Sequence, residues 1–178
     1  MIIGPALLDF ILYSLDHSFR GNYFLNFYKE IFMSVKFIEA IDEDAVEISQ
    51  ILEDWATSNH EIPLVHNVEE RADYGRLLLE HTSVTMIHNN RGVVGFMALE
   101  KHIIQALYIK KDYQGFGFGQ AAIRFSQKQF EELRLWVFQS NKGAQRFYRR
   151  LGFQIGKMSD GQDNDYNLPD VFYCWKAS

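Results

Sequence analysis

Residues 113–120 read Tyr-Gln-Gly-Phe-Gly-Phe-Gly-Gln, and this glycine-dense stretch decides which fold and which ligand the rest of the chain can support. It follows an apolar run typical of a strand, residues 105–109, and precedes a pattern typical of a helix. Glycine permits positive φ and close approach of the backbone, so successive N–H groups can point into one concavity. The following helix adds unpaired N–H donors and the positive end of its dipole. The stretch therefore predicts an anion-binding turn whose expected guest carries phosphate.

Two common phosphate-binding motifs do not fit this turn. A dinucleotide-binding fold needs Gly-x-Gly-x-x-Gly, but after Gly115 and Gly117 the next glycine comes one position early, at Gly119. A nucleotide P-loop ends in Gly-Lys-Ser or Gly-Lys-Thr, whereas Gly119 is followed by Gln120. The pattern present is Gln-x-x-Gly-x-Gly, formed by Gln114, Gly117 and Gly119. It resembles the pyrophosphate loop of the GNAT superfamily of acyl-CoA-dependent N-acyltransferases.

A second stretch carries the same resemblance. Residues 141–153 read Asn-Lys-Gly-Ala-Gln-Arg-Phe-Tyr-Arg-Arg-Leu-Gly-Phe, which is similar to the other GNAT signature. Asn141 suits a helix N-cap and Gly152 suits a C-terminal stop. One helix face carries the residues spaced i, i+3, i+4 and i+7, which are Ala144, Phe147, Tyr148 and Leu151. Taken alone, the first stretch could be a plain strand-to-helix turn, and Tyr148 could be a core aromatic residue. Together, the two stretches indicate a region over residues 35–176 that resembles the GNAT superfamily.

The remaining pattern alternates strands and helices and closes in antiparallel strands. Strands are predicted at 35–39, 83–88, 93–100, 103–109, 133–138 and near Phe153 and Val171, and helices at 42–55, from Asn67, at 119–130 and from Asn141. Asn-Asn-Arg-Gly at 89–92 is a hairpin signal. The resemblance implies an α+β (α/β) fold with a mixed, mostly antiparallel, splayed central sheet flanked by helices.

Composition favours a small enzyme with one domain. The chain has 178 residues, of which 47% are hydrophobic and 15% aromatic, ample for a core. A net charge of −5 argues against a general nucleic-acid surface. The single cysteine, Cys174, cannot form an internal disulfide and is expected to be buried and inert, so a reducing cytoplasm is the simplest setting. No spacing of His, Cys and Asp resembles a metal site.

Residues 1–32 have no counterpart in the family resemblance. Residues 2–15 are nearly all apolar, yet too few to cross a bilayer, which takes about 20. We expect an apolar and aromatic extension, either a helical arm packed on its own domain or on a second subunit of a homodimer, or the product of a start codon chosen too far upstream. The GNAT-like domain is then residues 33–178.

The resemblance implies acetyl-CoA as cosubstrate. It assigns the pyrophosphate to the glycine turn, the pantetheine arm to the preceding strand and the amide arm to Asn141, so the expected cofactor-binding residues are Leu107, Ile109, Gln114, Gly115, Phe116, Gly117, Phe118, Gly119, Gln120, Asn141 and Ala144. Tyr148 matches the family tyrosine that donates a proton to the departing thiolate. With the ordinary phenol pKa of about 10, its ionisation predicts a falling limb of activity at high pH.

The general base is less well matched. Relatives often carry Asp or Glu where this chain has Gln105, and glutamine cannot take a proton. Glu100 is our expected catalytic base, acting through a bound water, with His102 as an alternative and a solvent-assisted route equally open. His60 and His66 flank the first two helices, where this family usually builds its acceptor site.

Acidic residues point to a cationic acceptor. They lie at Asp160, Asp163, Asp165 and Asp170 and at Glu61, Glu69 and Glu70, although a solvated acidic loop would look the same. The leading function is acetylation of an amine on a small molecule or peptide. The alternatives are a protein acetyltransferase, acting on an N-terminal or lysine amine, and a catalytically silent CoA-binding sensor.

Overall fold

The computed structural model describes residues 34–58, 63 and 65–177, so the predicted extension at 1–32, His60 and Glu61 lie outside the described residues. Within this part of the chain, seven strands and four α-helices follow one another. They are β1 (Lys36–Glu39), α1 (Ala45–Ser58), α2 (Val68–His81), β2 (Ser83–Asn89), β3 (Gly92–Glu100), β4 (Ile103–Ile109), α3 (Phe118–Gln127), β5 (Glu132–Phe138), α4 (Lys142–Arg150), β6 (Gln154–Ser159) and β7 (Asp170–Lys176). None of these helices is long and apolar enough to cross a membrane.

The strands form one sheet that opens in the middle. Their order is β1-β2-β3-β4-β5-β7-β6, and neighbours run antiparallel except for the parallel pair β4 and β5. That pair is joined only at its start, where Ile103 lies opposite Arg134 and the Arg134 N–H donates to the His102 carbonyl at 2.9 Å. Beyond Ile103 the two strands separate. The mixed, mostly antiparallel and splayed sheet predicted from the sequence is confirmed.

Each face of the sheet has its own hydrophobic core. Successive strand residues point to opposite faces, and Met86 and Ile87, both fully buried, belong to different clusters. The cluster with Met86 includes Ile48 of α1 and Leu78 of α2. The cluster with Ile87 includes Ile123 of α3 and Tyr148 of α4. The centre of the sheet is therefore clamped between two helical layers, which makes it a rigid platform for the opening between β4 and β5.

Helix boundaries differ from the sequence prediction at three places, one of which is the end of α1, predicted at Trp55 and found at Ser58. The segment expected to start a helix at Asp42 is a 3₁₀ turn, Asp42–Asp44, in which the Asp44 carboxylate accepts the Ile41 N–H at 2.9 Å. The helix predicted at 119–130 is α3, which ends at Gln127. In the sequence, Phe130 continues the helical spacing of apolar residues. In the structure, its side chain packs on the core from the loop that follows α3.

A glycine lets α1 and α2 approach closely. The Ser49 hydroxyl donates to the Ala72 carbonyl at 2.7 Å and accepts the Gly75 N–H at 3.0 Å. A Cβ on Gly75 would lie 2.1 Å from the Ala45 carbonyl oxygen. Since that obstacle is backbone, a side chain at this position forces the two helices apart.

We therefore expect Gly75→Ala to destabilise the protein. The better helix propensity of alanine is worth about 1 kcal/mol, but overpacking against an immobile group costs about 1–3 kcal/mol, here toward the upper end. The free energy of unfolding in urea should fall by about 1–2 kcal/mol. Gly143→Ala is the matched control, because a Cβ there meets only the Asn141 Oδ1 at 3.5 Å. Equal or greater stability of Gly75→Ala would contradict the packing argument.

Candidate active site

A groove of about 1250 Å³ opens where β4 and β5 separate. Its walls come from α1, the end of β4, the glycine turn and one side of each of α3 and α4. It exceeds the roughly 300–1,000 Å³ usual for drug-sized ligands. Beyond Ile103 the β5-facing side of β4 has no strand partner, so the groove can take an extended ligand that pairs with backbone.

The glycine turn forms one end of this groove. Gly115 and Gly117 have φ of 80° and 89°, in the region where only glycine is unstrained. A Cβ built on either residue meets no atom within 4 Å, so both glycines face open space. Gly117 is the N-cap of α3, and the N–H groups of the first turn of that helix lack intrahelical partners. The turn fits the cradle expected for a pyrophosphate.

Gln114 shapes this turn through its side chain. Its Nε2 donates to the Ile109 carbonyl at 2.9 Å, which ties the turn back to the end of β4. The glutamine of the Gln-x-x-Gly-x-Gly pattern thus has a local structural role, because it holds the turn against the end of β4.

Basic side chains line the same end. Lys111, Arg124 and Arg150 all reach the groove, whereas the neighbouring Arg146 and Arg149 of α4 do not line it. Sequence reasoning missed Lys111 and Arg124. The signal for Arg124 was its spacing of seven residues from Gly117, which is two turns along one helix face. Their positive charges complement a phosphate-bearing ligand.

The structure brings nearly all of the predicted cofactor-binding residues together. Phe116 is the exception, because its side chain packs against the larger core cluster and does not line the groove. The ten that line the groove are Leu107, Ile109, Gln114, Gly115, Gly117, Phe118, Gly119, Gln120, Asn141 and Ala144.

Asn141 lies at the start of α4 and caps it. Its Oδ1 accepts the Ala144 N–H at 2.9 Å, as the sequence predicted for an N-cap. Because the oxygen is used in the cap, the Nδ2 amide is the group that remains to donate into the groove.

Tyr148, two turns further along α4, is 9% exposed and lines the groove. Its ring packs edge-on between Phe147, at 5.0 Å, and Phe153, at 5.5 Å. Burial raises the pKa of Tyr148 well above the ordinary phenol value. The neutral, proton-bearing form therefore persists to higher pH than the sequence predicted, and the falling limb expected near pH 10 moves beyond that range.

A second, smaller cavity of about 80 Å³ adjoins the groove. We call it the side cavity; it is lined by Leu52, Glu53, Trp55, Ala56, Pro63, Val65, His66, Arg71, Tyr74, Tyr108 and Tyr166. Trp55 and Tyr108 line both spaces, with their rings edge to face at 5.1 Å. These two aromatic side chains are thus the shared wall between groove and side cavity.

Aromatic rings form much of the wall of the side cavity. The His66 ring centroid lies 6.4 Å from that of Tyr74 and 6.3 Å from that of Tyr166. Burial raises the pKa of Tyr74 and of Tyr166, and the nearby Asp165 charge raises both further. Arg71 is bound by Glu53 at 2.7 Å, so its charge is compensated within the protein.

Tyr166 reaches this cavity from the loop between β6 and β7, which Asn164 holds in shape. The Asn164 Oδ1 accepts the N–H groups of Tyr166 and Leu168, at 3.2 and 3.3 Å. Its Nδ2 donates to the Leu168 carbonyl at 2.8 Å and to the buried Asp170 carboxylate at 3.0 Å. The Tyr166 ring then rests on Phe138 of β5 at 5.3 Å. Asp170 was grouped above with the acidic residues expected to attract a cationic acceptor. In the structure its carboxylate instead holds the loop in place.

Glu100, the expected catalytic base, is not brought to the groove. It pairs with Ile103 at the turn joining β3 and β4, and its carboxylate accepts the Gln105 Nε2 at 2.9 Å. Neither Glu100 nor His102 lines the groove or the side cavity. The alternating pattern of strand residues in the sequence does not show at which end of β4 the groove lies.

Cys174 is half-buried, not buried as expected. Its thiol donates to the Glu132 carboxylate at 3.0 Å, and partial burial together with that carboxylate raises the pKa of Cys174. A neutral thiol is a poor nucleophile, in line with an inert role. Among the described residues, no group of three or more His, Cys, Asp or Glu side chains could hold a metal ion.

Both the sequence and the fold are similar to those of known proteins. Residues 80–155 match the acetyltransferase (GNAT) domain. The peptidyl-lysine N-acetyltransferase YjaB of Escherichia coli strain K12 is 30% identical over 107 residues, which cover 58% of this chain and 73% of YjaB. The solution structure of apo-form YjaB has a TM-score of 0.64 at 24% identity, covering 82% of this chain and 100% of that one. A GNAT-family acetyltransferase from Bacillus cereus ATCC 10987 has a TM-score of 0.63 at 12% identity, covering 81% and 98%.

Proposed function

Because the chain belongs to the GNAT family of acyl-CoA-dependent N-acetyltransferases, we propose that it transfers the acetyl group of acetyl-CoA directly to a primary amine of a small cationic molecule or a peptide. One observation carries this proposal. The groove and the side cavity meet at Trp55 and Tyr108, so a thioester in the groove and an amine in the side cavity would face each other across these rings.

Acetyl-CoA would be held by the residues already described along the groove. The free N–H groups of residues 115–120, with Lys111, Arg124 and Arg150, suit the phosphates. The unpaired edge of β4 at 107–109 suits the pantetheine arm, as an added strand would. The cosubstrate supplies an acyl group already activated as a thioester.

The chain's own residues then orient the reactants and provide a proton. Tyr148 carries its proton at neutral pH and lines the groove, so it can act as the acid for the leaving thiolate. Trp55 and Tyr108 narrow the passage between the two spaces and limit access of water. Direct attack by the amine needs positioning and no protein nucleophile.

The charges and size of the side cavity favour a slender cationic acceptor. Glu53 is compensated by Arg71, which leaves Glu70 and Asp165 as the acidic groups beside the rings of His66, Tyr74 and Tyr166. Aromatic faces attract cations. A volume of about 80 Å³ admits an alkyl chain ending in an amine but no bulky group. A lysine side chain of a peptide has that shape, and the likeness to a peptidyl-lysine N-acetyltransferase makes it the second candidate.

A panel of amines tests the proposal. CoA thiol release would be measured with butylamine, 4-aminobutyrate as the matched acceptor with an added carboxylate, and peptides that offer either one lysine or only the N-terminal amine. We expect butylamine and the lysine peptide to be acetylated and 4-aminobutyrate to be disfavoured. Preference for the N-terminal amine, or acetyl-CoA binding with no acetylation of any amine, would overturn the proposed acceptor.

A further inference from the structure

An alkylamine cannot attack a thioester until it has lost a proton. Amines of the lysine type have a pKa of about 10.4 and arrive at neutral pH as ammonium ions. The reaction proposed above therefore needs a proton acceptor on the acceptor side of the site. Gln105 has no such capacity, and Glu100 lies at the other end of the hairpin.

Few described residues that line the two cavities can accept a proton. Glu53 is bound by Arg71 at 2.7 Å. Asp112 lies on the turn at the phosphate end of the groove. Asp54 is exposed on α1, where its Oδ1 accepts the Gln50 Nε2 at 2.8 Å, and it lines the groove but not the side cavity. His66 is the remaining group, and it lines the side cavity.

His66 lies beside a carboxylate whose position is fixed. Its Nδ1 lies 3.6 Å from the Glu70 Oε2, and that same oxygen accepts the Asn67 N–H at 2.9 Å. The carboxylate is thus fixed by the N-terminal cap of α2. At 3.6 Å the ring and the carboxylate are too far apart for a hydrogen bond, but the ring lies next to a negative charge.

The surroundings of His66 come from two elements. Glu70 and Tyr74 face it from α2, and Tyr166 faces it from the loop between β6 and β7 with Asp165 nearby. Arg71 is a cation close to it; its guanidinium donates to the His66 backbone carbonyl and is bound by Glu53. The side chain is 37% exposed, so it can exchange protons with water.

From this geometry we propose that His66, which lies beside Glu70, is the catalytic base that removes the proton from the acceptor ammonium in the side cavity. This inference rests on the proposed function and names the side chain that accepts the proton before the amine attacks. The N–H bond of the ammonium breaks and its electron pair stays on the amine nitrogen. The proton forms a new N–H bond on the imidazole, directly or through one water, and the imidazolium then releases it to solvent.

The test compares His66→Gln with the wild type, using butylamine and acetyl-CoA across pH. Glutamine keeps a similar size and hydrogen-bonding capacity but takes no proton. We expect kcat/KM for butylamine at pH 7 to fall roughly 100-fold, the lower end for general base catalysis. The deficit should shrink as pH rises toward the pKa of the amine, because more butylamine then arrives already neutral. A purely structural role predicts a deficit that does not change with pH, and that result would overturn the proposal.

Two control variants isolate the effect. His81→Gln removes an exposed histidine at the end of α2 that lines neither cavity and should behave as wild type. Asp54→Asn removes the competing carboxylate; if this variant, and not His66→Gln, shows the pH-dependent deficit, His66 is not the base. Acetyl-CoA binding measured by calorimetry should be equal in all of them.

A readout independent of turnover follows the imidazole itself. In NMR spectra, the resonance missing from His66→Gln identifies His66, and its titration should shift when butylamine is added to the protein. An unshifted titration would overturn the proposal. Absence of acetylation of any amine by the wild type would instead remove the proposed function, so the two failures are distinguishable.

Discussion

Replacing Tyr148 with phenylalanine is expected to lower kcat by roughly 10² to 10⁴-fold, the usual contribution of a positioned acid. The substitution removes only the hydroxyl. The ring contacts with Phe147 and Phe153 remain, so the melting temperature and the dissociation constant for acetyl-CoA should hardly change. Steady-state kinetics on a confirmed acceptor, together with calorimetry, would measure both.

Tyr173→Phe is the matched control for this variant. Tyr173 is fully buried, and its hydroxyl has no hydrogen-bond partner among the described residues, so losing it should leave turnover intact. Tyr148→Ala adds the structural comparison, because a cavity in place of a large aromatic ring costs about 3–5 kcal/mol. Wild-type turnover in Tyr148→Phe would show that the tyrosine only packs.

The pH profile should carry the same information. In its proposed role Tyr148 is active in the neutral form, and its raised pKa extends that form upward in pH. Activity of the wild type should rise with pH as the acceptor loses its proton and should show no falling limb up to about pH 10, the ordinary phenol value. The ratio between wild type and Tyr148→Phe should be constant over this range, unlike the pH-dependent ratio expected for His66→Gln.

Gly117→Val is expected to weaken acetyl-CoA binding by at least about 100-fold, equivalent to about 2.7 kcal/mol. The added side chain meets no protein atom and instead enters the open groove where the pyrophosphate is proposed to approach the backbone. The left-handed φ of 89° adds strain of about 1–2 kcal/mol for any side chain. The thermal stabilisation that acetyl-CoA gives the wild type by mass action should disappear.

The variant Gly92→Val separates the effect of backbone strain from the effect of blocking acetyl-CoA. Gly92 also has positive φ, 128°, and an added Cβ there meets nothing within 4 Å, but the residue lies in the hairpin turn and lines neither cavity. This variant should lose stability and keep full acetyl-CoA affinity. Equal acetyl-CoA affinity in Gly117→Val and the wild type would contradict the role assigned to the turn.

Residues near each other in sequence made the groove predictable. Two glycines close together, Gly115 and Gly117, indicate a turn. Asn141, three residues before Ala144, indicates the start of a helix. Each of these features is built within about ten residues, so local physics is enough to specify it. The splay of β4 from β5 came from the family resemblance, since no local pattern encodes a strand separation.

The side cavity could not be predicted in the same way. Trp55, Tyr108 and Tyr166 lie on a helix, a strand and a loop far apart in the chain, and only the sheet order brings them together. Glu100 was expected as the base because Gln105 stands where relatives often carry an acidic residue, and the sequence pattern does not show at which end of β4 the groove lies. The raised pKa of Tyr148 likewise depends on burial by distant residues.

The self-contained hydrogen bonding of Asn164 has a consequence for how acceptor preference can change. The loop between β6 and β7 is held by its own backbone, by Asn164 and by Asp170 at its end, while the groove is built from other segments. Exchange of residues 160–169 for another sequence that keeps Asn164 can therefore replace one wall of the side cavity as a unit. If the side cavity is the acceptor site, as proposed, acceptor preference could then be engineered by exchanging this loop alone, without changing the groove.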